Sequence, residues 1–192
     1  AKFFNLGNNF KLMPFKGQYM QLKSNFKYKI TSNIYPVPDL NIPFLGVHFT
    51  PGNTGTYVGP TATLALGREN YNGLESIEPY SLISNINLLA KQYLTGKNGF
   101  RRYFHEQAFQ TFRPLFVKAA KQLIPSITSE NLQYSLKSGI RAQLIDLQNL
   151  KLVDDFISLE TESSIHVLNA ISPAFTSGFE LADLIINKSK IF

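Results

Sequence analysis

The sequence predicts an α+β fold, in which an antiparallel or mixed sheet is interrupted by a helical block and then resumed. Three observations carry this. The first third alternates apolar and polar residues or is broken by Pro and Gly, as strands and hairpins are. The middle places apolar residues at helical spacing. The last third returns to short β-rich runs before one final helix.

Met13 to Leu22 (MPFKGQYMQL) alternates as a half-buried strand does. Pro36 and Pro38 restrict Ile34 to Pro38 to extended geometry. Phe44 to Thr50 (FLGVHFT) reads as a strand, and Thr56 to Ala62 as its partner across the Pro51-Gly52-Asn53-Thr54-Gly55 loop, which makes a hairpin. Pro79 to Leu94 is helical, with Ile83, Ile86, Leu89 (or Ala90) and Tyr93 on one stripe, and it stops at Thr95-Gly96. Phe100 to Leu123 continues with Phe104, Ala108, Phe112, Phe116, Ala119 and Leu123, and Pro114 should kink it or start a new helix. Both stripes read as core faces. Strands are expected at Ile140 to Ile145, Val153 to Leu159 and Ile165 to Ala170. A last helix should run from about Pro173 to Asn187, with Ser172 as N-cap and Phe175, Phe179, Ala182 and Ile186 as its apolar stripe.

Composition bounds the function. With 192 residues, 44% hydrophobic and 17% charged, the chain can bury a real core. It has no cysteine, which removes disulfides, thiolate metal sites and Cys nucleophiles together. No secretory pattern is visible, and no apolar run reaches the roughly 20 residues that a membrane helix needs, so the expected location is cytoplasmic, or peripheral at the inner membrane face. The net charge of +6 comes from scattered Lys and Arg whose one tight pair is Arg101-Arg102. Scattered lysines are usually a solvated surface, so nucleic acid is not an expected partner. Glycine-rich nucleotide fingerprints and H-E-x-x-H are absent, and His48, His105 and His166 lie far apart, so no metal is expected.

Two side chains stand out as sources of chemistry. In the strand around His48, alternation puts Leu45, Val47 and Phe49 on one face and His48 on the other, two residues from Gly46. Its imidazole is either a general base or a half-buried histidine satisfied by a backbone carbonyl. In Gly139-Ile140-Arg141-Ala142-Gln143 the same alternation sets Arg141 and Gln143 together. An Arg among apolar strand residues wants a carboxylate, either a ligand's or that of Asp154 or Asp155. The turn Asn169-Ala170-Ile171-Ser172-Pro173-Ala174 before the last helix is a third, weaker feature, since any helix N-terminus favours an anion.

Several blocks, in order, resemble the L-2-hydroxyglutarate oxidase/dehydrogenase family of D-amino-acid-oxidase-like flavoenzymes. They include Pro14-Phe15-Lys16-Gly17-Gln18-Tyr19, Ile34-Tyr35-Pro36-Val37-Pro38-Asp39, Pro43 to Thr50, Gly67-Arg68-Glu69-Asn70-Tyr71, Gly139 to Gln143, Leu152 to Phe156 and His166 to Ala174. The resemblance implies a flavoprotein that oxidises a 2-hydroxy acid to the 2-oxo acid, with hydride passing from substrate C2 to flavin N5. By resemblance Arg141 clamps the substrate carboxylate with Tyr19 and Tyr57 nearby, and His48 accepts the proton. Gly139, Asn169, Ala170, Ser172, Ala174, Phe175 and Thr176 would contact FAD. Residues 1–138 would be a substrate-binding domain, its helical block at 79–124, and residues 139–192 the C-terminal part of an FAD-binding domain. The family's glycine-rich half has no counterpart here, so the chain is expected to need that missing N-terminal FAD-binding half, to bind FAD poorly alone and to be inactive alone. Lys16, Tyr57 and Arg68 are the options for a distal carboxylate. The resemblance leaves open a quinone or oxygen as electron acceptor, and a non-catalytic, self-associating remnant is the alternative reading.

Overall fold

The computed structural model describes residues 1–37, 46–96, 100–109, 111–171 and 174–189. Pro38 and Phe44-Leu45, expected to be extended, and Ser172 and Pro173, expected to open the last helix, lie outside these. The chain divides into two compact units, residues 13–142 and residues 1–12 with 143–192. The boundary therefore falls four residues after the expected 138/139, and the first twelve residues group with the C-terminal segment.

In the larger unit a long strand, β1 (Phe10–Leu22), is joined by the hairpin β2 (His48–Gly52) and β3 (Gly55–Gly59), by short β4 (Thr63–Leu64), and by β5 (Leu132–Asp146). The sheet order is β2-β3-β1-β5, with β4 also on β1. The expected hairpin is present: five pairs from His48↔Gly59 to Gly52↔Gly55 leave Asn53-Thr54 as a two-residue turn. β3 meets β1 antiparallel at Met20↔Val58 and Gln21↔Tyr57. Ile34 bridges Phe49, so the Ile-Tyr-Pro stretch does lie along the sheet.

Pro79 starts α1 (Pro79–Thr95), and Gly96, at φ +62°, ends it by donating its N–H to Gln92 O. Pro114 starts a new helix, so the Phe100 to Leu123 stretch becomes α2 (Phe100–Phe109) and α3 (Arg113–Lys121). The core lies between α3 and one sheet face. Phe116, Val117 and Ala120 pack with Met20, Leu22, Val47, Phe49, Val58, Ile127 and Leu132, all nearly or fully buried. Arg113 ties α3 to the start of β5 by donating to Ser129 O and Leu132 O at 2.8 and 2.7 Å.

The α1 stripe departs from expectation. Leu89 is buried, but Ile83 and Ile86 are exposed, and the buried face runs through Asn85, Leu89 and Gln92. Ile86 borders a cavity of about 560 Å³ with Leu89, Tyr93, Phe100 and Phe104, so that part of the stripe faces open space rather than filled core. Phe112, expected in the core, is also exposed, because it is the N-cap that precedes α3.

In the smaller unit the end of β5 pairs with β6 (Lys151–Leu152), and β7 (Ile157–Glu160) pairs antiparallel with β8 (Ile165–Asn169). The expected single strand from Val153 to Leu159 is broken between these elements. Asp155 Oδ1 accepts the Phe156 N–H there, a local turn that competes with the ladder. The last helix, α4 (Gly178–Lys188), begins five residues later than expected. Ala174 N–H closes a turn onto Ile171 O, and the first helical bond runs from Leu181 N–H to Ser177 O. No α4 residue is buried, and Phe175 and Phe179 are 99% and 89% exposed, so the expected apolar stripe is not a core face.

Gly17 matters for packing rather than for φ. A Cβ there would sit 2.7 Å from Pro60 Cβ. Gly17→Ala should therefore force the β1 and 59–61 backbones apart and destabilise the protein by about 1–3 kcal/mol. Urea unfolding checks this, and an unchanged midpoint would contradict it.

Candidate functional site

Alternation along β1, β2, β3 and β5 decides which side chains can meet. Met20, Leu22, Val58 and Phe49 face the core. Their neighbours Tyr19, Tyr57 and His48 share the opposite face, and in β5 the matching residues are Lys137, Gly139 and Arg141. Gln133 confirms the phase, since its side chain donates to Gln21 Oε1 at 3.2 Å.

On this face lies a cavity of about 290 Å³, wholly within the larger unit, bordered by Gly17, Tyr19, Pro60, Thr61, Gly139 and Arg141 among others. Three of the residues singled out in the sequence, Tyr19, Gly139 and Arg141, thus meet at one cavity. No atom lies within 4 Å of where a Gly139 Cβ would sit, so the floor between neighbouring side chains is open. Arg141 is half-buried.

His48 and Tyr57 do not border the cavity but join Tyr19 in one cluster. His48 pairs with Gly59 across the hairpin, and its ring stacks 4.6 Å from that of Tyr35. The Lys137 ammonium sits 4.2 Å from the Tyr57 ring centroid and 5.1 Å from that of Tyr19. Tyr57 OH is shared with Thr54 Oγ1 at 2.8 Å.

His48 Nδ1 lies 3.0 Å from Gly46 O. A carbonyl oxygen only accepts, so Nδ1 carries the proton and Nε2 the lone pair of the neutral ring. Burial lowers the His48 pKa; the Gly46 carbonyl opposes this, and the nearby Lys137 charge adds to the lowering. The imidazole is therefore neutral at pH 7, the state a proton acceptor needs. The expected backbone-carbonyl partner is therefore present, and it leaves Nε2 as the nitrogen with the lone pair. Burial, then Tyr35, pushes the Tyr19 hydroxyl above its ordinary value, so it stays protonated.

The options for a distal carboxylate separate. Although Lys16 borders the cavity, alternation turns its side chain to the face opposite Tyr19, where Nζ donates to Asn70 Oδ1 at 2.9 Å. Asn70 is fully buried, and its Nδ2 is fixed on Gly73 O and Glu75 O at 3.0 and 2.7 Å, so this bond anchors the 66–75 loop. Arg68 pairs with Glu78 at 2.9 Å and is exposed. The sequence reading missed Lys137, although counting back from Arg141 by two and four residues along the strand reaches Gly139 and Lys137 on the same face.

The residues assigned to FAD by resemblance near the C-terminus lie in the smaller unit. Asn169 is buried, with Nδ2 on Asp155 O at 2.7 Å, so its amide already serves the fold. Ala170 ends β8, and Ala174, Phe175 and Thr176 occupy the turn before α4 rather than its first helical turn, which corrects the expected helix N-terminus. Ser172 lies outside the described residues. The other histidines are engaged elsewhere, His105 with Tyr93 OH and His166 with Ser164 Oγ, both at 2.9 Å.

No protein-family model matches the chain. Among curated proteins it is similar to an L-2-hydroxyglutarate dehydrogenase of Indibacter alkaliphilus, 40% identical over 177 residues, 89% of this chain and 42% of that protein. Mitochondrial L-2-hydroxyglutarate dehydrogenases of Nematostella vectensis and Homo sapiens are 38% and 36% identical over 93% of this chain and 40% and 39% of their own lengths. The chain is thus homologous, along most of its length, to part of L-2-hydroxyglutarate dehydrogenases, and it spans about two fifths of the relatives it matches. Among the described residues no helix is long and apolar enough to cross a membrane.

The lowered His48 pKa is directly measurable. Its imidazole proton resonances should titrate with a midpoint below the ordinary histidine value, and Lys137→Met should move that midpoint up by removing a neighbouring positive charge. A midpoint at or above the ordinary value would contradict the assigned environment.

Proposed function

We propose that this chain is the substrate-binding part of an FAD-dependent oxidoreductase that oxidises a 2-hydroxy acid, L-2-hydroxyglutarate, to its 2-oxo acid, 2-oxoglutarate. The observation that carries the reading is the convergence of Arg141 and Tyr19 on one cavity, beside a histidine whose tautomer and pKa suit proton acceptance. The substrate is taken from the similar proteins, which are L-2-hydroxyglutarate dehydrogenases, and the small cavity and cationic face fit a short acid.

In this reading the planar guanidinium of Arg141 takes the carboxylate next to the reacting carbon with two parallel N–H bonds. Burial and the Lys137 charge keep His48 neutral, so Nε2 accepts the 2-hydroxyl proton. Gly46 O prevents the ring from presenting the wrong nitrogen. Protonated Tyr19 adds a hydroxyl to the cavity wall. Gly139 leaves space that a side chain would fill.

FAD, when bound, would accept the hydride from substrate C2. The residues present fit only part of that cofactor. The turn at residues 174–176 is the stretch that resembles the family's cofactor contacts. The glycine-rich pyrophosphate turn is absent from this sequence, so the dinucleotide portion needs residues from elsewhere.

The test is to supply a glycine-rich FAD-holding half, in trans or by fusion, and assay dye reduction with L-2-hydroxyglutarate. Activity is expected. His48→Gln should then lower kcat by about 10²–10⁴-fold, whereas Arg141→Met should act mainly on kcat/KM. A folded, flavin-loaded complex without activity would sink the proposal.

A further inference from the structure

We propose that Tyr35 is a positioning residue for His48: its ring and the Gly46 carbonyl together hold the imidazole so that Nε2 stays the available nitrogen. This rests on the function proposed above and adds a residue to that same site.

The backbone brings the two rings together. Ile34 N–H donates to Phe49 O at 3.0 Å and Phe49 N–H to Ile34 O at 2.9 Å, so the chain at Ile34 runs antiparallel beside β2. Both of these side chains pack in the core. The next residues, Tyr35 and His48, therefore fall side by side on the opposite face. Their ring centroids are 4.6 Å apart and their planes tilted by 39°, within the range of a favourable aromatic pair. Pro36 keeps Tyr35 extended. It also packs on Gly46, where a Cβ would lie 3.3 Å from Pro36 Cγ. The same short segment thus supplies the ring against His48 and touches the residue whose carbonyl takes the Nδ1 proton at 3.0 Å.

One hydrogen bond leaves an imidazole free to swing about it, since the histidine χ2 torsion is broad. A ring against one face removes that freedom, and the two restraints fix the direction of the Nε2 lone pair. Tyr35 also takes water from that face, which is part of the burial that lowers the His48 pKa. The other titratable groups on this side of the sheet are Tyr19 of β1, Tyr57 of β3, and Lys137 and Arg141 of β5. Among the described residues, Tyr35 is the one whose ring meets the imidazole. It bears on Tyr19 as well, whose hydroxyl is pushed up by burial first and by Tyr35 second, and Tyr19 borders the Arg141 cavity.

The imidazole nitrogen spectrum of His48, followed through a pH titration of the chain, reads the orientation directly. The unaltered chain should show one neutral tautomer, with the proton on Nδ1. Tyr35→Phe keeps the ring and should leave that tautomer and the titration midpoint in place. Tyr35→Ala should mix the two tautomers and move the midpoint up towards the ordinary histidine value. Unchanged Ile34 and Phe49 amide shifts would show that the segment is still paired. If it is not, Tyr35→Leu, which keeps bulk without an aromatic face, replaces Tyr35→Ala under the same criteria. In the flavin-loaded complex with an FAD-holding half, Tyr35→Ala should lower kcat by about 10–10²-fold. KM should change little, the acid limb of the kcat profile should move to higher pH, and Tyr35→Phe should restore both kcat and that limb. An unchanged tautomer and midpoint without the ring, or Tyr35→Phe failing as Tyr35→Ala does, overturns the positioning role and leaves the His48 and Arg141 assignments standing. If the complex is inactive with every residue intact, the proposed function fails, and the nitrogen spectrum of the chain alone decides whether Tyr35 holds the ring.

Discussion

The site depends on the phase of alternation in the sheet. Met20, Leu22, Phe49, Val58 and Leu132 must face α3, because they form the core of the larger unit. Their burial fixes the register of β1 against β3 and of β2 against β3. A slip of one residue would send Tyr19, Tyr57 and His48 into that core and expose the apolar set. Hydrophobic burial on one face therefore sorts the polar side chains onto the other. The chemistry proposed here uses what that sorting delivers.

Backbone detail then refines the arrangement. Gly17 and Gly59 let β1 and the 59–61 segment come close, since a Cβ on either would lie within 3 Å of Pro60 or of Gln18 O. The Gly46 carbonyl selects the His48 tautomer. Electrostatics complete the site. A half-buried imidazole beside an ammonium resists protonation, and that ammonium is itself held by two tyrosine faces. Each effect is modest alone. Together they leave a neutral base in a positively charged setting, a combination suited to an anionic substrate that must lose a proton.

Much of this was readable from the residues. The hairpin around Asn53-Thr54, the Pro79 helix start and the new helix at Pro114 follow from local chemistry that tertiary packing does not override. The phase of His48 and Arg141 followed from alternation alone. The failures have physical causes as well. Periodicity gave the α1 stripe but not what it faces, and a cavity takes the place of packed core there. Ser-Pro looked like a helix start, but the turn closed by Ala174 N–H delays α4 to Gly178. Lys137 went unnoticed because an exposed lysine on a strand carries no signal until the tyrosines that hold it are seen.

The homologous relatives are more than twice the length of this chain, and the geometry described here concerns what the chain itself contributes. In the proposed function one face of one unit binds the acid. Amide chemical-shift mapping during titration with 2-oxoglutarate tests that most directly. The largest shifts are expected on Tyr19, His48, Gly139 and Arg141 and their strand neighbours. Shifts confined to α1 and α2 around the apolar cavity, or to residues 143–189, would contradict it.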